Sequence, residues 1–330
     1  LTMTVVTTDG HRVEHDDTIN PRAAAIRGFV RSMAKECGQW TVKCVDVRAG
    51  ELGLRAISEA IVREPGQRDG REVVLRGAQR YQDVLLPAEP RWNSRPAFRE
   101  NSVYLIVGGA GGLGLELALH LARTVRASLI LIGRSAASAE HFEKVQRIER
   151  AGGRAIYLQA DIASREELAR AVAEGRRRFG KINGVVHSAL VLRDRMISNL
   201  DEDTLRAGFA AKVEGSIALG ELFQGESLDF LLFFSSVQSF AASLGQSGYA
   251  AASSFEDGYA RYLSLRAPFP VQVINWGFWG TVGVVASEKY RKLAAAQGFR
   301  SISPENGMAA IEVALKSGMP QLIVAPAEPG

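Results

Sequence analysis

An α/β fold, built on a doubly wound parallel sheet and preceded by a smaller and truncated α/β unit, is the architecture this 330-residue sequence predicts. Two observations carry the prediction. From Val103 onward, short apolar runs alternate with helical stretches, the pattern of a parallel sheet covered on both faces. The first of those runs leads into a glycine turn that opens a helix, VYLIVGGAGGLGLELALHLA.

That stretch organises the rest. Val103, Leu105, Ile106 and Val107 form a buried-strand run. Gly108, Gly111 and Gly114 follow at spacing three, and Leu113, Leu117 and Leu121 recur four apart in the helix behind them. A residue without Cβ lets the backbone turn sharply and approach a pyrophosphate. The first N–H groups of the helix then face that anion. Strand, glycine turn and helix together make a Rossmann-type dinucleotide fingerprint. A second strand, at 127–132, ends at Gly133-Arg134, and Arg134 lies 134 − 114 = 20 residues after the last glycine. An acid there holds the 2′-OH of NAD, whereas an arginine offers a planar charged fork to a 2′-phosphate. NADPH is therefore expected over NADH; a solvated arginine at a strand end is the plainer alternative.

The elements before that turn read as a separate unit over residues 1–98. A strand is expected at 2–7, and Asn20-Pro21 starts a helix with asparagine as cap and proline at the first helical position. Ile26, Phe29, Val30, Met33 and Cys37 give that helix an apolar stripe, and Gly38 ends it. A strand at 40–47, a helix at 52–63, a turn at 65–70 and short strands at 72–76 and 81–86 follow. No glycine-rich nucleotide turn occurs among them, so a packing unit without cofactor is expected. The sheet looks short of strands and Leu1 is no initiator methionine, so a piece of a longer chain is expected. The segment at 87–96, PAEPRWNSRP, reads as the linker.

From residue 99 to 330 the cofactor-binding unit is expected, with strands at 103–107, 128–132, 154–158, 182–187, 229–235, 271–275 and 321–325. Ser164-Arg165-Glu166-Glu167 is a capping box. Asp161, after the third strand, bonds an adenine amino group or is a plain turn residue; the sequence leaves both open. The formal charge of +4 is modest, and Arg176-Arg177-Arg178 closes a helix where cations suit the dipole, so nucleic acid is not an expected partner. No apolar run approaches membrane-spanning length, so no membrane partner is expected either. Cys37 and Cys44 read as small buried residues of a reducing, cytoplasmic compartment.

The chemistry concentrates at 229–257. An apolar strand runs into Ser235-Ser236, Tyr249 starts an alanine-rich helix 249 − 236 = 13 residues later, and Lys212 precedes Ser236 by 236 − 212 = 24. Each has a bland reading, as core tyrosine, strand-end cap or surface ion pair. Joined to a nucleotide turn they make a reduction site.

On these residues the sequence resembles the short-chain dehydrogenase/reductase family, and more closely the ketoreductase domains of modular polyketide synthases, multifunctional enzymes. The matching features are GGAGGLG at 108–114, Arg134, HSALVLRD at 187–194, Lys212, the Ser236/Tyr249 pair and INWGFWG at 274–280. The resemblance implies that Tyr249 gives the proton, Ser236 bonds the carbonyl oxygen and the Lys212 cation favours the phenolate. Ser253 stands where such domains usually carry an asparagine that helps hold a proton-relay water. The resemblance implies cofactor contacts from Gly108, Gly109, Ala110, Gly111, Gly112, Leu113 and Gly114. It adds Arg134, Ser135, Asp161 and Ile162, and further along His187, Ser188 and Ala189. No metal is implied. Leu192-Arg193-Asp194 keeps one aspartate of a leucine–aspartate–aspartate motif that marks a D-configured 3-hydroxyl, and Ala241 stands where the opposite class has tryptophan. A stretch from Phe278 to about Arg300 reads as a lid in which Phe278, Trp279, Val282, Val284 and Val285 cover the substrate, or as a loop that packs on the sheet.

The activity implied is NADPH-dependent reduction of a 3-ketoacyl thioester, phosphopantetheine-linked to an acyl carrier protein, among neighbouring polyketide synthase domains. A silent structural domain of the same assembly line, motivated by Ser253, and a free-standing alcohol dehydrogenase are the alternatives.

Overall fold

The structure, a computed structural model, describes residues 1–50, 53–66, 69–77, 79–92, 96–241, 243–283, 288–296 and 298–326. In order the elements are β1 (Thr2–Thr8), α1 (Pro21–Glu36), β2 (Thr41–Val47), α2 (Leu54–Arg63), β3 (Glu72–Arg76), β4 (Gln79–Tyr81), β5 (Val103–Val107), α3 (Gly112–Val125), β6 (Ser128–Gly133), α4 (Ala139–Arg150), β7 (Arg154–Gln159) and α5 (Arg165–Phe179). They continue with β8 (Gly184–His187), α6 (Glu202–Phe209), a π-helical turn (Ala210–Glu214), α7 (Gly215–Phe223), β9 (Phe230–Ser236), α8 (Gln238–Ala241), α9 (Ser247–Ser264), β10 (Val271–Trp276), α10 (Glu288–Ala296), α11 (Pro304–Ser317) and β11 (Gln321–Val324).

The sequence reading drew a single boundary, between residues 98 and 99. The packing instead forms two units that are discontinuous in sequence. One holds Leu1–Ala88, Val191–Val213 and Gln238–Tyr262; the other holds Glu89–Leu190, Glu214–Val237 and Leu263–Gly330.

The larger unit carries a seven-stranded sheet in the order β11-β10-β9-β8-β5-β6-β7, with every pair parallel. Every residue of β5, β8, β9 and β10 is buried, as strands covered on both faces require. All seven expected strands form. Ser164 caps α5 by accepting from Glu167 N at 3.3 Å, but the box is not reciprocal: the Glu167 carboxylate accepts from Asp161 N at 2.9 Å.

The smaller unit carries a four-stranded sheet, β1-β2-β3 parallel and β4 antiparallel on β3. The strand expected at 81–86 is corrected: pairing stops at Tyr81, and Val84, Leu85 and Leu86 are exposed. Their apolar run has no sheet to enter. Asn20 caps α1 as expected, accepting from Arg22 N at 3.1 Å. Of the expected stripe, Val30 and Met33 are buried but Ile26 is exposed, because α1 also buries the small face Ala23, Ala24 and Gly28. At the end of β2 the Asp46 carboxylate accepts from Gly10 N at 2.8 Å, Thr7 Oγ at 2.9 Å and Arg76 at 3.0 Å.

Gly28 explains the small face. A Cβ there would lie 2.4 Å from the Ala250 carbonyl oxygen and 2.5 Å from Ser254 Oγ, so α1 rests on the backbone of α9. The end of α1 also holds two loops. Glu36 accepts from Ile197 N at 2.7 Å and Gly245 N at 2.9 Å, and Ser32 donates to the Ser243 carbonyl at 2.7 Å. Replacing Gly28 with Ala forces the two helices apart and costs about 1–3 kcal/mol, as over-packing does; urea unfolding followed by circular dichroism measures it.

Candidate functional site

The nucleotide-binding candidates belong to the larger unit. Gly108 leaves β5 with φ +78, a conformation that suits glycine. A Cβ on Gly108 would lie 2.8 Å from Ala189 N, and one on Gly114 would lie 2.4 Å from the Gly108 carbonyl oxygen. The turn is thus closed on itself and against the segment after β8. Gly111 has no side chain to cap α3, so the first N–H groups of that helix are left for an anion. This cradle fits the pyrophosphate of a dinucleotide. The carbonyl of Ala110 is held from α4 by Lys144 Nζ at 2.9 Å.

The remaining nucleotide candidates divide. Arg134 and Ser135 are exposed after β6, and among the described residues no carboxylate pairs with Arg134. The Ser135 carbonyl accepts from Tyr157 Oη at 2.7 Å. Asp161 acts as a turn residue with one oxygen, accepting from Ala163 N at 3.0 Å. Ser188 Oγ donates back to the Val107 carbonyl at 2.7 Å. Two candidates turn inward. The Ile162 side chain is buried, and a Cβ on Gly215 would lie 2.9 Å from it. The His187 ring is fully buried, edge-on to Phe233, so a contact with a cofactor is left to its backbone.

Ser235 and Ser236 end β9 beside β10. Asn275 of β10 donates to the Ser236 carbonyl at 3.0 Å and to Ser235 Oγ at 3.3 Å, and itself accepts from Gln321 at 2.8 Å. A buried amide thereby fixes the strand end that carries Ser236. The lid residue Trp279 is corrected. It is 2 % exposed, its ring lies 5.2 Å from Trp276, and Gly307 makes room for it: a Cβ there would fall 2.0 Å from the indole. A large apolar ring gains more from this core than from a mobile cover. Val282 and Gly283 run close over the glycine turn, with Gly283 N 2.3 Å from the Cβ position of Gly112. Val284 and Val285 lie outside the described residues.

The smaller unit carries Lys212, Tyr249 and Ser253. Tyr249 is half-buried near the start of α9, and Ser253 is buried one turn later. Lys212 sits in the π-helical turn, a departure from regular helix that recurs at functional sites. Its ammonium meets the Glu256 carboxylate at 2.5 Å, and both side chains are almost fully buried. Burial alone pushes the Lys212 ammonium down. Glu256 first, then Tyr249 and Asp257, more than offset that, and the ammonium is held above its ordinary value. Asp194 is placed by Gln246, which donates to its carboxylate at 2.9 Å. The sequence reading missed Glu256 and Asn275. An acid on the buried face of an alanine-rich helix was the available signal for the first.

A family model for the KR domain matches residues 102–281. The polyketide synthase PksN of Bacillus subtilis is 38% identical over 325 residues, 98% of this chain and 6% of that protein. The polyketide synthase ThaG of Burkholderia thailandensis is 36% identical over 322 residues, again 98% of this chain and 6% of that protein. The chain thus spans a small part of the length of these relatives. Among solved structures, PlmKR1, a ketoreductase from the first module of phoslactomycin biosynthesis in Streptomyces sp. HK803, superposes with a TM-score of 0.86 at 26% identity, covering 98% of this chain and 76% of that one. A-type ketoreductases from a modular polyketide synthase give 0.85 at 26% identity, covering 98% and 69%.

The closed turn makes a prediction. Gly114→Ala drives a Cβ into the Gly108 carbonyl, and binding of a reduced nicotinamide dinucleotide weakens by at least about tenfold, or 1.4 kcal/mol. Titration followed by the fluorescence of the dinucleotide reads the change.

Proposed function

The chain belongs to the KR domain family of polyketide synthases, within the short-chain dehydrogenase/reductase superfamily, and from that premise we propose that it reduces a 3-ketoacyl thioester to the 3-hydroxyacyl thioester with NADPH. The substrate in this proposal is linked through phosphopantetheine to an acyl carrier protein, and neighbouring synthase domains supply and remove it. The observation that best supports the reading is the Lys212 ammonium, buried against Glu256 in a π-helical turn of the same unit that carries Tyr249.

The roles follow from the chemistry of ketone reduction. When bound, the dinucleotide supplies hydride to the carbonyl carbon. Tyr249 Oη gives the proton to the carbonyl oxygen, and the ammonium of Lys212 steadies the phenolate left behind. Ser236 donates a hydrogen bond to the same oxygen as negative charge develops on it. Ser253, one turn after Tyr249 on α9, can donate and accept in place of a longer amide. Arg134, exposed and without a carboxylate partner among the described residues, suits the 2′-phosphate that distinguishes NADPH. Asp194, held by Gln246, and the absence of a tryptophan at Ala241 support a D-configured 3-hydroxyl. A cytoplasmic setting and a cofactor-free, structural role for the sheet of the smaller unit belong to the same proposal. No helix among the described residues is long and apolar enough to cross a membrane.

The test is NADPH consumption by the purified chain with a 3-ketoacyl thioester surrogate. Tyr249→Phe should lower kcat by about 10²–10⁴, the usual worth of a positioned proton donor, while NADPH still binds; unchanged turnover removes Tyr249 from the role. Arg134→Ala should raise the Kd for NADPH about tenfold to a hundredfold, the loss of a charge-assisted contact, and leave NADH binding as it was. A parallel loss for both dinucleotides assigns Arg134 no part in discrimination.

A further inference from the structure

We propose that Glu256 is a positioning residue for the reduction, anchoring the Lys212 ammonium so that it stands charged beside Tyr249. The inference rests on the reductase reading above and goes beyond it, because Glu256 acts through Lys212 and touches neither substrate nor dinucleotide.

Three observations converge on Glu256. First, Lys212 Nζ and Glu256 Oε2 are 2.5 Å apart, with side-chain exposures of 1% and 0%. A lysine stripped of water to this degree sheds its proton or turns away unless an opposite charge meets it. Second, Lys212 lies in the π-helical turn Ala210–Glu214, whose widened geometry does not by itself aim a side chain. Glu256 projects from a regular helix, α9, and fixes where that ammonium ends. Third, Tyr249, Ser253 and Glu256 are spaced four and three apart in α9, so they share one helix face. The proton donor and the anchor of its cation are therefore built on the same rigid element.

Other groups act on the pair as well. Asp257, on α9 itself, also favours the charged lysine, as does Tyr249. Glu214, on the π-helical turn, is exposed. The face of α1 that packs on α9 presents Gly28 to Ala250 and Ser254, and Ala24 and Pro21 to Gly258, while the cations of α1 have other partners: Arg27 meets His11 and Glu72, Arg31 meets Asp83, and Lys35 donates to the Ala241 carbonyl. Glu256 is a buried carboxylate in direct contact with the ammonium.

The sign of the pH effect follows. The reaction needs Lys212 charged. Glu256 holds its proton on to higher pH; without Glu256, burial is opposed only by the weaker pull of Tyr249 and Asp257, and the proton leaves sooner as pH rises.

The experiment compares the wild-type chain with Glu256→Gln, Glu256→Asp and the double variant Lys212→Met with Glu256→Leu. Each is assayed for kcat against pH with NADPH and a 3-ketoacyl thioester surrogate, and for Tm. The expected result for Glu256→Gln is a kcat lower by about tenfold to a hundredfold, within the worth of general acid catalysis, and an alkaline limb moved down by about one pH unit or more. Glu256→Asp, which keeps the charge, recovers part of both. The double variant, with no unpaired buried charge, recovers the Tm that Glu256→Gln loses but not its activity. An active wild type whose Glu256→Gln variant keeps the same kcat and the same alkaline limb overturns the proposal. So does a double variant no more stable than Glu256→Gln, because the two side chains are then not coupled. A wild type that binds NADPH yet reduces no ketoacyl thioester overturns the reductase reading instead, and the Tm comparison still reports whether Glu256 anchors Lys212.

Discussion

The backbone of Ser188 and Ala189 lies so close to Gly108 that a Cβ there would be 2.8–2.9 Å from main-chain atoms of both. The larger unit depends on this approach. β5 pairs with β6 on one side and β8 on the other, so the chain winds outward in one direction through β6 and β7 and in the other through β8 to β11. The loops after β5 and β8 therefore part company at the carboxyl ends of their strands, where a doubly wound sheet binds its ligand. A side chain between them would push the strand ends apart or fill the crevice. Glycine at φ +78 lets the two backbones pass. Ser188 Oγ then ties the second loop to the end of β5 at the Val107 carbonyl. The anion cradle is thus a product of backbone contacts, with side chains acting as ties.

The smaller unit solves a different problem. Its sheet has three parallel strands and one short antiparallel edge, too little surface to position anything by packing alone. It uses charge and close helix contact instead. Asp46 and Asp17 take up the backbone N–H groups of Gly10, Val13 and Glu14, and Arg76 bridges the two carboxylates. The Asp17 carboxyl is held well below its ordinary range: burial raises it, but the backbone and arginine hydrogen bonds outweigh that. With the loops pinned this way, α1 presents Gly28 to α9 and Glu36 to the backbone of residues 197 and 245. The helix that carries Tyr249 is therefore seated on a helix remote in sequence.

What could be read from sequence follows the range of the forces involved. The seven strands, the glycine turn and the caps at Asn20 and Ser164 were legible because each is written in a few neighbouring residues. The run at 81–86 misled, since apolar β-formers need a partner strand and Val84, Leu85 and Leu86 have none. Trp279 misled for the opposite reason: a glycine-flanked tryptophan looks mobile until Gly307, 28 residues on (307 − 279), opens a slot for it. His187 showed only as part of a motif, and its burial against Phe233 is a fact about the register of β8 on β9. The two units interleave in sequence because a helix joins whichever core its buried face meets, and no composition shift marks that choice. For Glu256, an acid on the buried face of an alanine-rich helix was a signal, but its partner Lys212 is brought in by a π-helical turn that no local pattern announces.

That pairing is poorly explained as a device for stability. Two charges taken out of water recover their desolvation cost only in part, and apolar residues of similar volume usually serve as well or better. Beside the buried polar Ser253, Ser254 and Asp257, α9 also packs apolar side chains: Ala250, Ala251, Ala252 and Phe255 are all buried. Methionine and leucine at 212 and 256 would extend the same packing. The carboxylates of Asp17 and Asp46 have a local reason to be charged, since backbone N–H groups end on them. For Lys212 the reason that the proposed function supplies is its charge, which steadies the phenolate left on Tyr249 when the proton is given. Under the proposed function, a cation kept at the cost of desolvation, in a turn that departs from regular helix, is kept for its field.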